Sequence, residues 1–192
     1  MRLIITLILI LFPCVAYSKS DFFNIVSNML LENNIVYRDS GKAVTKDFLS
    51  DCIKQQSLKR FKLECEDVIF SHYISVFEMD EGSKIVLVTK EGASVENRWL
   101  MLVQSKGYVD VINKMWPIIS DKEVSRLLTQ QTGMTKYSPT FVKSVAHSSY
   151  RVQHTAEDTL IVLSGIPDET YKTKLGVIKW KGVKFEFIPV SN

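Results

Sequence analysis

The chain has 192 residues, with 24 basic and 21 acidic side chains and a formal charge of +3. A balance so close to neutral excludes the strong field with which proteins hold nucleic acid or an anionic membrane surface. The length argues for one domain, and the densest basic run, Lys59-Arg60-Phe61-Lys62, is offset by Glu64, Glu66 and Asp67 beside it.

The first residues carry a destination. Met1-Arg2 is a short basic start, residues 3–12 are almost wholly Leu, Ile and Phe, and Ala16-Tyr17-Ser18 places small residues around a cut after about Ser18. This is the three-part layout of a secretory signal peptide. The apolar run falls short of the roughly 20 residues that cross a bilayer, so cleavage is preferred to anchoring and no stable membrane span is expected after it. Cys14 follows Phe12-Pro13 rather than the small residues that precede a lipid-modified cysteine, which argues against a lipoprotein. The chain is therefore read as a signal peptide, 1–18, followed by a single α+β domain, 19–192, in the periplasm or secreted. Two cysteines, Cys52 and Cys65, remain after cleavage. In an exported chain they read as a disulfide; buried free thiols are the rival reading, and a redox dithiol is disfavoured because no Cys-X-X-Cys is present.

The first predicted element of the domain is a helix. Ser20 and Asp21 supply cap chemistry, Phe22, Ile25, Val26, Met29 and Leu30 recur on one face, and Asn33-Asn34 ends it. A second helix starts at the N-cap Thr45, with Asp47 in its first turn and Phe48, Leu49, Cys52 and Ile53 as its apolar set. Residues 68–77 are apolar on both faces, so periodicity leaves strand and helix open, with strand preferred. The turn Asp80-Glu81-Gly82-Ser83 leads into a first meander: 84–90, 95–104 and 108–112, the last pair joined by Lys106-Gly107. Pro117 interrupts the chain. Ser120 and Glu123 then form a capping box ahead of Val124, Leu127 and Leu128, and Gly133 closes that helix. A short helix over 140–146 and a strand over 149–153 precede a second meander over 159–190, with a turn at 165–168 and a hairpin at Lys181-Gly182. Helices and strands in this order predict an α+β fold, in which two β-meanders share one antiparallel sheet with three or four helices packed on it.

Chemistry leaves few marks. The histidines are His72, His147 and His154. His147 and His154 are an odd number of residues apart, which turns them to opposite faces of a continuous strand, although a bend would let His154 meet Glu157 and Asp158. No His-Glu-X-X-His, Gly-X-Ser-X-Gly, Gly-X-Gly-X-X-Gly or Walker pattern is present, so no metal, cofactor or catalytic residue is assigned. The aromatics are the remaining lead. Trp99, Trp116 and Trp180 lie in or beside the meanders, where core packing is their ordinary use. Trp180 is singled out because Lys179, Lys181 and Lys184 surround it at a hairpin tip, making these four residues the candidate partner-binding set. Lysines on strands are also a common guard against aggregation.

Small exported proteins with one disulfide and no catalytic motif resemble, in type only, the periplasmic inhibitors and immunity proteins by which bacteria neutralise hydrolases. No residue motif is shared, and no site is carried over. The expected function is that of a non-catalytic binding or inhibitory protein that occludes a protein partner, a hydrolase in the immunity-type case. A periplasmic carrier of a small molecule or lipid is the alternative, and a hydrolase with a dispersed active site is the second alternative.

Overall fold

Two antiparallel sheets, one of six strands and one of four, organise the chain. The computed structural model describes residues 19–90, 98–133, 150–156, 159–164 and 173–191. Residues 1–18, read above as a signal peptide, the helix expected over 140–146, His147, and the cluster of Glu157 and Asp158 with the His154 side chain lie outside the described residues and side chains.

Helix α1, Lys19–Glu32, buries Phe22, Val26, Met29 and Leu30, the face predicted for it. Asn34 then adopts a left-handed conformation with φ 48°, and the Asn33 side-chain amide donates to the Met29 carbonyl at 2.9 Å, closing the helix end. Helix α2, Lys46–Cys52, begins where the Thr45 hydroxyl accepts from the Phe48 N–H at 3.2 Å. The next two strands, β1 (Ile53–Ser57) and β2 (Arg60–Leu63), form a hairpin that the sequence reading had passed over as a charged run. The alternation was present: Phe61 and Leu63 go inward while Arg60 and Lys62 stay partly exposed.

Strands β3 (His72–Glu78), β4 (Lys84–Lys90), β5 (Arg98–Gln104) and β6 (Gly107–Asp110) complete the six-stranded sheet in sequential order. Of the ambiguous stretch 68–77, residues from His72 onward are strand, while Val68 makes only an isolated bridge to Arg38 and 69–71 lie outside any strand; the cause of the ambiguity is visible. One face of the sheet, carrying Ile74, Val76, Val86, Val88 and Met101, packs under α1 and α2. The other, carrying Phe77, Ile85, Leu87 and Leu100, packs on a second core. Central strands covered on both sides lose their period-two alternation. The Tyr108 hydroxyl donates to the Ile25 carbonyl at 2.8 Å and ties β6 to α1.

One short helix, α3 (Ile112–Met115), was not foreseen; Pro117 follows its last turn and stops it. Helix α4, Asp121–Thr132, has the predicted ends: the Ser120 hydroxyl accepts from the Glu123 N–H at 3.2 Å, and Gly133 stands at φ 69°. Only half of the capping box forms, because the Glu123 carboxylate pairs with Arg126 at 2.8 and 3.0 Å.

Strands β7 (Arg151–Ala156), β8 (Thr159–Ser164), β9 (Thr173–Trp180) and β10 (Phe185–Pro189) make the second sheet, in the order β10-β9-β8-β7. The α+β class is as expected, while the two meanders form separate sheets rather than one. Leu160, Val162, Leu175, Ile178 and Phe185 join Val124, Leu127 and Leu128 of α4 against Phe77, Ile85, Leu87 and Leu100. A six-stranded sheet with two apolar faces needs cover on both, and stacking the second meander over it buries far more apolar area than extending its edge would.

Candidate functional site

The predicted hairpin tip is held by the strands beneath it. The Trp180 indole N–H donates to the Glu78 carbonyl at 2.9 Å, and its ring lies 4.8 Å from that of Phe185 and 5.7 Å from that of Phe77. The Gly182 carbonyl accepts from the Asp80 N–H at 3.2 Å. Gly182 has φ 78°, and a Cβ there would overlap the Asp80 carboxylate. Trp180 is thus half-buried as the anchor that seats β9–β10 on the β3–β4 turn, while Lys179, Lys181 and Lys184 are exposed around it. A partner meeting this tip meets lysines and the edge of an engaged ring.

The more exposed apolar surface lies beside that tip. Ile118 is 94% exposed, the highest value among the exposed large apolar side chains, and Val183 on the hairpin is 55% exposed. Ile118 stands on one wall of a groove of about 740 Å³. Met115, Trp116 and Ile118 form that wall, and Phe185, Phe187 and Pro189 of β10 form the other. Lys114 and Lys184 sit on its rim with Glu123 and Glu186, so the rim carries both signs of charge.

Strand geometry determines what β10 offers to this groove. The Lys181 N–H bonds to the Lys184 carbonyl, and the Val190 N–H to the Leu175 carbonyl. Hydrogen-bonded pairs alternate along an antiparallel ladder, so Glu186 and Ile188 also direct their peptide groups toward β9. Phe185, Phe187 and Pro189 therefore turn theirs to the free side, where β10 is the edge of its sheet. Pro189 has no N–H to leave unpaired there, which is why an edge strand accepts it. The result is an apolar groove with strand donors and acceptors along one wall that no strand among the described residues pairs with.

Two other features bear on chemistry. His72 is 2% exposed, and neither ring nitrogen reaches a partner in hydrogen-bond geometry. Burial first, and the neighbouring Lys90 charge second, lower its pKa from 6.5 to about 4, with the Phe70 backbone acting against the shift. It is a neutral core residue near Trp99, with ring centroids 6.4 Å apart, and not a general base open to substrate. Cys52 and Cys65 are joined in a disulfide with Cα atoms 5.2 Å apart. Beside this bond Asp67 accepts from Arg38 and from the Ser40 N–H and hydroxyl, and the Ser40 backbone bond leads the causes that hold its carboxyl below the usual range. Bond and cluster together pin the loops on either side of α2.

Among the described residues, no group of three or more His, Cys, Asp or Glu is placed to hold a metal ion, and no helix is long and apolar enough to cross a membrane. The sequence reading missed Ile118, whose only signal was an apolar residue between Pro117 and the next helix cap. It also gave no role to Arg98, which read as one polar position in an alternating strand. Comparison with protein-family models, with curated protein sequences and with solved structures finds no match to this chain.

Proposed function

We propose that this is an exported, non-catalytic binding protein that occludes a protein partner, and that the groove between α3–Ile118 and β10 is its contact surface. The observation that carries the reading is the near-complete exposure of Ile118 beside β10, an edge strand among the described residues. Ile118 is not alone there: Met115, Trp116, Phe187 and Pro189 share the groove with it, and a contiguous apolar surface of this kind suits an interaction site. An extended segment of a partner can pair with the Phe185 and Phe187 peptide groups while seating an apolar side chain against Ile118, the mode in which a guest strand adds to a sheet edge. Lys114 and Lys184 with Glu123 and Glu186 on the rim favour a partner whose margin also carries both signs of charge. The Cys52–Cys65 bond supports an oxidising compartment, consistent with the signal segment. Within this reading the partner is a hydrolase, and the protein is of the inhibitor or immunity type.

The test is affinity capture with residues 19–192, wild type and Ile118→Asp side by side, from lysates of the source organism and its competitors. A single stoichiometric partner that is held by wild type and lost by I118D is the expected result. A partner held equally by both would remove the groove from the contact. Failure of wild type to capture any protein, with a lipid or metabolite retained instead, would replace this reading with the carrier.

A further inference from the structure

Adjoining the partner groove lies a smaller cleft of about 330 Å³, and we infer that it is a binding site for a compact carboxylate ligand with an apolar body, with Arg98 as the recognising group. The cleft shares Asn113, Trp116, Pro117 and Ile118 with the partner groove, but its recognising residue, Arg98, lies outside that groove, so the Arg98 variants test it separately.

Arg98 opens β5 opposite Thr89, on the same face as Leu100. That face leads into the core shared by α4 and the second sheet. The guanidinium carbon lies 4.7 Å from the centroid of the Tyr150 ring and 5.4 Å from that of Trp116. The Trp116 indole N–H donates to the Tyr150 hydroxyl at 3.2 Å, so the two rings hold each other as well as the cation. The Arg98 Nη1 atom is buried without a hydrogen-bond partner, and Arg98 forms no ion pair among the described residues. A guanidinium carries five N–H donors in a planar fork and cannot shed its charge. Arg98 lines the cleft and is only partly buried, so a carboxylate entering the cleft can draw the guanidinium into a charge-assisted contact and give Nη1 a partner.

The other walls set the rest of the ligand. Ile112, Pro117, Ile118 and Ile119 line the cleft with the two rings, and Asn113 adds an amide. One cation and one amide suit a monoanion; a phosphate draws on more donors than these. The volume lies at the small end of ligand pockets, which fits a carboxylate on a short aliphatic or aromatic body and excludes a two-chain lipid.

Calorimetric titration of residues 19–192 with 3-phenylpropanoate and with its neutral amide tests this directly. Wild type should bind the carboxylate at least about tenfold more tightly than the amide, the preference expected of a charge-assisted bidentate contact. Arg98→Gln should bind both alike, and Arg98→Lys should keep only part of the preference because it keeps the charge without the fork. Arg98→Met is the control for folding: a residue retained for a ligand leaves the unliganded melting temperature unchanged or raised when its unmet charge is removed, whereas a structural arginine lowers it. The inference is overturned if wild type binds acid and amide equally, if neither binds at millimolar concentration, if R98Q retains the preference, or if R98M melts well below wild type. Should R98Q fail to fold, the acid-to-amide ratio in wild type and in R98K still decides the outcome.

Discussion

Lowering the pH should destabilise this protein through His72. Its ring is 2% exposed, lies between Leu63 and Lys90 in the strand register, and has neither nitrogen hydrogen-bonded. The folded pKa is lowered from 6.5 to about 4, so between those values the unfolded chain binds a proton that the folded chain refuses. Stability therefore rises with pH across this window and is lost as the pH falls from about 6.5 to 4. At roughly 1.4 kcal/mol per pH unit, the gap is worth about 3 kcal/mol, a large part of the net stability of a domain of this size. The assay is urea unfolding from pH 7.5 to 4 at constant ionic strength, comparing wild type with His72→Leu. Leucine is close in volume and apolar, so the variant should lie within about 1.5 kcal/mol of wild type at pH 7.5 and lose the slope through the window. Glu64 and Asp67 have folded pKa values below the ordinary carboxylate values, so their contributions are lost at lower pH and are common to both proteins. Wild-type stability that stays flat from pH 6.5 to 4.5, or a leucine variant with an undiminished slope, would refute the reasoning.

Further expectations concern the disulfide and the aromatic anchors. Reducing Cys52–Cys65, which closes a loop of 13 residues, should lower stability by about 3 kcal/mol by chain entropy; a shift in the urea midpoint worth under 1 kcal/mol would mean that the unfolded chain is already constrained there. Trp180→Ala removes the ring packed on Phe77 and Phe185 and the bond to the Glu78 carbonyl, and should cost about 3 kcal/mol in thermal or chemical unfolding. A loss near zero would return Trp180 to the status of a free surface anchor. Ile118→Asp should change stability by no more than about 0.5 kcal/mol by calorimetry, because so exposed a side chain has almost no burial to lose, and a larger drop would show that Ile118 packs on the chain itself.

What the sequence determined by itself was local. Thr45, Ser120 and Gly133 mark helix ends because a cap is a bond between near neighbours, satisfied or not by residues three or four positions away. The turns at 80–83 and 181–182 announced their hairpins for the same reason, and the Cys52–Cys65 pairing followed from there being two cysteines in a domain read as exported. The charged run at 59–62 concealed β2 because Arg60 and Lys62 occupy its open face while only Phe61 and Leu63 report the core. Tertiary structure alone decided that the two meanders stack as separate sheets. That outcome depends on the free energy of covering Phe77, Ile85, Leu87 and Leu100, and no nearby residue carries that information. The same packing turns Trp180 inward, leaves Ile118 outside, and sets Arg98 between two rings contributed by residues 116 and 150. A functional surface is defined by what the core leaves uncovered, so it becomes legible only once distant segments have taken their places.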